Sequence, residues 1–468
     1  MMQRKSSVPL VFLVSGFFML SCPTSFAEDD ADTSSGFRSV LEMAELGPEL
    51  LAEFSDSSEY NAEDWKLFIQ LLYRLDQYPS AEQANWAIEW NETSKPQAGD
   101  LVDVAGTVES VEVLAVPEQI AQAHDLKSLY RCHFRFALSA EDEPATVGTV
   151  LAAKIPKAWQ AIEALAEPIH FRGILLRNPD DETQSRAIFL TPHLAWYPRQ
   201  GVPTGELLLA RHGMDVALFD EVMHRKPFVG PEVSREGEAF YSCLAAISRV
   251  LPAELSTLSK QSITQFADHW RESQATDRQQ RAIAARVLRR SELGLSSVAP
   301  LFLQPEQMMG RLVRIEGIAR RAVRIAVADR LELDSYFEVE IFPPDSQNQP
   351  VVGCVKNLPA EFPTGDAIRE PVRLAGVFFK SWLYHSRDVE QTQEETGRQQ
   401  RMYTPVVVGT IEWLPRSASQ TGLWGLWGGI AFLIVLVIVS LNMVRLAKKD
   451  RLARTTRRHL EDVELPKN

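Results

Sequence analysis

Between residues 37 and 90, apolar positions recur at three- and four-residue steps: Val40, Met43 and Ala44, then Leu50, Leu51 and Phe54, then Trp65, Phe68, Ile69 and Leu72. That spacing lays an apolar stripe along helices. Asn61 stands as a cap ahead of a helix beginning near Glu63, and Pro79-Ser80 marks its end. After the breakers Pro96 and Gly99 the period drops to two. Val102, Val104, Gly106 and Val108 alternate with polar partners, which predicts a half-buried strand. Cys132, Phe134 and Phe136 alternate in a second strand, and residues 147–155 form a third, with Gly148 inside it. A glycine there marks a bulge or a close backbone approach. Pro156 predicts a short helix with Trp159, Ile162 and Leu165 on one side. Residues 169–175 and 188–196 complete five strands.

The plan then repeats. Gly310-Arg-Leu-Val-Arg-Ile-Glu-Gly317 echoes Gly99-Asp-Leu-Val-Asp-Val-Ala-Gly106 at an offset of 211, while Pro359, Pro371 and Gly376 answer Pro156, Pro168 and Gly173 at 203. Phe337, Val339 and Ile341 correspond to Cys132, Phe134 and Phe136, and Val352-Gly353 to Val147-Gly148. Trp196-Tyr-Pro198 and Trp413-Leu-Pro415 close the two copies. The preceding helical part repeats as well: Glu238, Phe240, Arg249 and Val250 answer Glu63, Trp65, Arg74 and Leu75. Residues 257–290 add about two helices to the second copy, and residues 386–400 form a polar insertion between its last two strands.

Three strands, a helix and two more strands resemble the OB fold, a small Greek-key barrel. The predicted class is therefore α+β: two repeats of a helical segment plus a five-stranded OB-like barrel, then one C-terminal transmembrane helix. The predicted boundaries are 1–27 for a signal peptide, 28–98 for a leader and first helical segment, and 99–200 for the first barrel. They continue with 201–309 for the second helical segment, 310–416 for the second barrel, 423–444 for the membrane helix and 445–468 for a basic tail. The arrangement resembles a type of bacterial exported protein with tandem helical-plus-OB-like units and one C-terminal anchor, and that resemblance implies no activity.

Both chain ends depart from the globular pattern. Arg4 and Lys5 precede the apolar run 8–20, and small residues lead to Ala27, as in a secretory signal peptide. Residues 424–444 carry no charge, and Arg445, Lys448, Lys449, Arg451, Arg454, Arg457 and Arg458 follow. That length spans hydrocarbon, and the basic cluster predicts a cytoplasmic tail with the rest of the mature chain outside a bacterial inner membrane. Without the signal and tail, 39 basic and 58 acidic residues remain, a net charge near −19. Such a field repels polyanions and disfavours general nucleic-acid binding. Cys132, Cys243 and Cys354 are too few and too scattered for a metal site or a disulfide framework.

Four features are candidates for chemistry. Leu207-Leu-Leu-Ala-Arg211-His212-Gly213 is similar to the strand-then-Arg-His-Gly opening of histidine phosphatases, in which the histidine takes the phosphoryl group. A structural alternative aligns Gly213 with Gly47 as a duplicated turn. The first strand of the second barrel carries Arg311, Arg314, Arg320, Arg321 and Arg324, where the first barrel has Asp100, Asp103 and Glu109. Arginine forks suit phosphate or carboxylate, although pairing with acidic neighbours, the first barrel included, is the competing reading. Trp382 and Tyr384 flank the insertion as a possible stacking platform for a sugar or peptide. The basic tail suits anionic lipid.

No P-loop, nucleophile elbow or zinc-protease motif occurs, so no cofactor or metal is expected. The expected role is binding or scaffolding at the envelope, with a protein partner or a cell-wall component, and not enzymatic. Phosphate-ester hydrolysis at His212 and polyanion binding by the second barrel are the alternatives.

Overall fold

A computed structural model describes residues 36–52, 54, 60–90, 94–124, 126–137, 146–161, 165–178, 186–228, 234–272, 277–327, 333–384, 402–414 and 421–461. The signal peptide, the leader up to residue 35, the 386–400 insertion and the end of the tail lie outside the described residues. Contacts divide the chain into two compact units. The first runs up to Val104 and takes in Glu112–Ala153 and Arg172–Pro192. The second holds Ala105–Val111, Lys154–Phe171 and everything from His193 onward.

Helices α1 (Gly36–Met43), α2 (Pro48–Ala52), α3 (Ala62–Asp76) and α4 (Ser80–Trp86) open the first unit. Asn61 caps α3 as its sequence predicts. Its side chain accepts from the Glu63 and Asp64 amides at 2.7 and 3.0 Å, and Asp64 returns the bond to the Asn61 amide. The apolar stripe Trp65, Phe68, Leu71, Leu72 and Leu75 is buried against Phe37 and Leu41 of α1 and against barrel residues such as Leu101 and Leu190.

The barrel strands, after the short β1 (Ile88–Glu89), are β2 (Leu101–Ala115), β3 (Ser128–Phe136), β4 (Thr146–Lys154), β5 (Glu167–Arg177) and β6 (Ala187–His193), with β7 (Ala195–Trp196) beside β5. Their order, β2-β3-β4-β6-β5 with β5 returning to β2, closes a ring. The second barrel follows the same circuit with β8 (Leu312–Ala326), β9 (Ser335–Phe342), β10 (Val351–Val355), β11 (Glu370–Tyr384) and β12 (Met402–Trp413), and β10 runs parallel to β12. Three details differ from the sequence expectation, the first being that, among the described residues, no helix stands between β10 and β11 of the second barrel. An additional helix, α5 (Glu118–His124), joins β2 to β3. The short helix after Pro156 is a single 3-10 stretch, Lys157–Ala161.

The repeat reaches down to individual bonds. Gly99 and Gly310 both take left-handed backbone angles, φ +92° and +73°. The Gly99 amide donates to Leu175 O and the Gly310 amide to Phe378 O, the acceptors being 203 residues apart. Trp196 and Trp413 donate through Nε1 to Glu167 and Glu370 at 2.8 and 3.0 Å. Each of these indoles also meets a ring after the third strand, Trp159 or Phe362. Gly148 faces Phe134 and Gly353 faces Val339 in the same register.

Helices α6 (Thr204–Arg211), α7 (Glu236–Ser248), α8 (Pro252–Glu272), α9 (Arg278–Ser291), α10 (Ala299–Leu303) and α11 (Pro305–Met308) precede the second barrel, and Val298, Leu301 and Met308 join its core. In the first unit Arg38 of α1 pairs with Asp100 ahead of β2 at 2.6 Å, both side chains nearly buried. At the matching place in the second unit Glu206 faces Arg311, so the charges are exchanged. Burial pushes the Glu206 carboxyl up to about 7, with Arg311 opposing the shift and Asp220 adding to it. Unfolded glutamate titrates near about 4.3. The stabilising contribution of the neutral acid is therefore fully present below that value and is lost as pH rises through about 7. The melting temperature should fall between pH 5 and pH 8, and Glu206→Gln should flatten that fall; equal slopes in the two proteins would remove Glu206 as its source.

A last helix, α12 (Thr421–Glu461), holds a stretch long and apolar enough to cross a membrane. It is Trp427–Lys449, with mean hydropathy 2.5 and none of it buried by other residues.

Candidate functional site

Strand β8 and its flanks hold the arginines singled out by the sequence, and most are engaged inside their own unit. Arg311 donates through Nε to Gln307 O at 2.8 Å and lies over the Phe266 ring. Arg314 is buried and donates to Gly294 O at 2.9 Å. Its backbone exchanges two bonds with Ser296. Burial, with Arg373 nearby, holds its pKa below the ordinary arginine value. Arg321 reaches Glu340 and Asp366 at 3.1 and 3.0 Å. Arg324 donates to Ser335 Oγ at 2.9 Å. The acidic partners of Arg321 are thus cross-strand and loop residues of the second barrel.

Arg320 differs. It is exposed, its guanidinium carbon sits 4.0 Å over the Phe342 ring, and it borders an open groove of about 500 Å³. The groove lies where β8 bulges between Ala319 and Arg321, beside the loop 343–350. Ile318, Phe342, Pro343, Pro344, Pro371 and Leu414 give it apolar walls. Glu316 at its side is already bound by Arg373, which also holds Glu412 at 2.8 Å.

Arg290, from the end of α9, lines the same groove and is a residue the sequence did not mark as a site. Its side chain is only 14% exposed, and its Nε and Nη2 are buried without a hydrogen-bond partner among the described residues. The nearest carboxylate, Asp345, is 3.9 Å away. Asp345 Oδ2 accepts from Ser297 Oγ and the Val298 amide at 3.2 and 3.1 Å, which pins the loop to the start of α10, while its Oδ1 is buried without a hydrogen-bond partner among the described residues. Gln347 and Asn348 in that loop take left-handed angles, φ 57° and 64°, conformations that cost a non-glycine residue energy and cluster at functional sites.

Trp382 is half-buried, with its ring edge-on to Phe228 at 5.5 Å and its backbone bridged to Lys226. The Tyr384 backbone pairs with Met402. The Tyr384 side chain lies outside the described residues, as does the insertion beside it. Behind Trp382, Lys380 Nζ meets Glu236 Oε1 at 2.6 Å with both side chains fully buried.

The Arg211-His212 string requires a correction. The run before it is the helix α6, not a strand: behind a Pro203-Thr204 start, the buried residues Gly205, Leu208 and Leu209 fall at three- and four-residue steps on one face. His212 is its C-cap, and the His212 carbonyl accepts from Arg249 at 2.8 Å. Gly213 follows at φ +86°, with the Met214 amide bonded back to Leu209 O. The equivalent turn after α1 is closed by the Leu46 amide on Leu41 O, with Glu45 at φ +61°. The counterpart of Gly213 is therefore Glu45, not Gly47. Among the described residues no group of three or more His, Cys, Asp and Glu side chains could hold a metal ion.

No protein-family model matches the chain, and no curated protein matches it. Among solved structures, a deletion variant of the single-stranded DNA-binding protein from Thermus aquaticus aligns over 67% of this chain and 96% of its own, at 8% identity and a TM-score of 0.14. A superposition at that score carries no argument, and the strand circuit described above rests on its own hydrogen bonds.

Proposed function

We propose that the chain is a single-pass, membrane-anchored envelope protein that binds or scaffolds through its tandem OB-like barrels. The observation that carries this reading is the unburied apolar helix Trp427–Lys449 joined to a twice-repeated folded module. In water that helix would expose a band of Ile, Leu, Val and Phe side chains, whereas hydrocarbon covers it. The basic residues after it favour a cytoplasmic tail, which puts both barrels on the far side of a bacterial inner membrane. The interior of the second barrel is filled by its own side chains, Phe378, Val407 and Leu374 among them, so its outer surface is what it offers a partner. A protein partner or a cell-wall component fits that role.

Two measurements test the reading. The full chain should resist alkaline carbonate extraction from membranes, and a chain ending at Leu414 should be soluble. A photo-crosslinking residue at the exposed Arg324 position should give one recurring adduct in intact cells. Extraction of the full chain, or no adduct from any exposed barrel position, would sink the proposal.

A further inference from the structure

Residues 222–228 lie as a strap along an edge of β11 that its neighbour leaves open. Strand β8 pairs with β11 only from Glu370 to Val377, whereas β12 stays paired as far as Tyr384. An unpaired strand edge presents bare amides and carbonyls. Here the strap takes them up. The Arg225 amide donates to Ser381 O at 2.7 Å, the Ser381 amide donates to His224 Nδ1 at 3.2 Å, and Lys226 bridges to Trp382. The Met223 amide adds a bond to Glu236 Oε1, and the Phe228 ring packs on Phe240, Phe379 and Trp382. Arg225 holds φ +58°, a left-handed angle that costs a non-glycine residue energy and is found at switch segments.

One of these bonds depends on a protonation state. An imidazole nitrogen that accepts carries no proton, so the Ser381 amide fixes His224 as the neutral tautomer protonated on Nε2. Nε2 is buried and has no hydrogen-bond partner among the described residues. A second proton, on Nδ1, would set a donor against a donor and remove the bond. The charged groups around the ring are Glu306 of α11, Lys380 of β11, Arg225 of the strap and Glu236 of α7. Glu236 is already spent on Lys380, and Glu306 is exposed, where water weakens its pull. Burial, with Lys380 and Arg225 adding to it and the two glutamates opposing, holds the His224 pKa below the ordinary histidine value. With the strap open, the ring titrates near about 6.5. The contribution of neutral His224 to closure is therefore fully present above that value and is lost as pH falls through the lower folded one. We propose that residues 222–228 form a pH latch, in which protonation of His224 breaks its bond with the Ser381 amide, releases the strap and uncovers the β11 edge and the Trp382 ring. The latch rests on the fold of this unit and holds whatever the chain binds.

Hydrogen–deuterium exchange on the full chain in phosphatidylcholine nanodiscs, read by mass spectrometry and corrected for the intrinsic pH dependence of exchange, tests it. Between pH 7.5 and pH 5.5, protection of residues 222–228 and 379–384 should fall by up to roughly tenfold, the limit for one proton taken up on opening. Protection of β9 should hold over the same range. His224→Asn offers an amide oxygen in place of Nδ1 and does not titrate, so it should abolish the fall. Equal protection at both pH values in the wild type, an equal fall in β9, or an undiminished fall in the asparagine variant would each overturn the latch. If loss of the ring leaves that variant open throughout, the onset in the wild type decides. A fall that begins near about pH 6.5 upholds the latch, while one confined below about pH 5 belongs to a carboxylate and overturns it.

Discussion

Glu236→Gln should destabilise the second unit by about 3–5 kcal/mol, because it leaves the Lys380 ammonium buried without its counter-charge. Both side chains are 0% exposed, with Nζ 2.6 Å from Glu236 Oε1 and 4.8 Å from the Phe228 ring centre. The same Oε1 accepts from the Met223 amide, so the pair ties α7, the 223–228 segment and β11 together. For a unit of this size the loss is roughly 6–20 °C in melting temperature. Burial already lowers the Lys380 pKa, while Glu236 opposes that shift. Without Glu236 the folded pKa falls further below that of the unfolded chain. The penalty of the variant is then present below the folded pKa and is lost as pH rises through it toward about 10.4. Calorimetry at pH 7 and pH 9.5 should show the gap between variant and wild type closing. A double change, Glu236→Leu with Lys380→Met, removes both charges and should lie close to wild type. A single Glu236→Gln change that melts with wild type at pH 7 would mean that the pair does not hold these elements.

That pair also shows where the sequence stops being informative. The duplicated plan was legible because its constraints are local: a left-handed glycine ahead of the first strand, alternation along it, and a tryptophan closing the last. Lys380 and Glu236 are 144 residues apart, and nothing near either one marks the other. The arginines of β8 were visible, but their partners were not, since Asp366 joins Arg321 from a loop and Gly294 joins Arg314 from the end of a helix. Arg290 and Phe342 meet across the groove only after α9 and β9 have packed. The alignment of Gly213 with Gly47 went wrong for a related reason. The turn demands a left-handed angle rather than a glycine, and Glu45 supplies that angle two residues earlier than the glycine does.

Gly205→Ala should be destabilising by about 3 kcal/mol or more, although helix propensity alone predicts a gain of about 1 kcal/mol. Gly205 is the second residue of α6, and a Cβ there would overlap the Gly310 carbonyl oxygen and stand 3.2 Å from both Gly310 C and Leu312 N. These are backbone atoms and cannot rotate away. Gly310 is held in turn, its amide bonded to Phe378 O and its φ at +73°. A Cβ on Gly310 would likewise run into Glu206, so the approach is close from both sides. Only withdrawal of α6 relieves the overlap, and withdrawal breaks the contact that seats the second helical segment on its barrel. Gly237 is the matched control. It is also the second residue of a helix, α7, with nothing within 4 Å of its missing Cβ. Gly237→Ala should stabilise by about 0.5–1 kcal/mol. Opposite signs in one calorimetric comparison would show that backbone contact, not helix formation, fixes α6 in place. Stabilisation by both changes would show that the helix is free to move on the barrel.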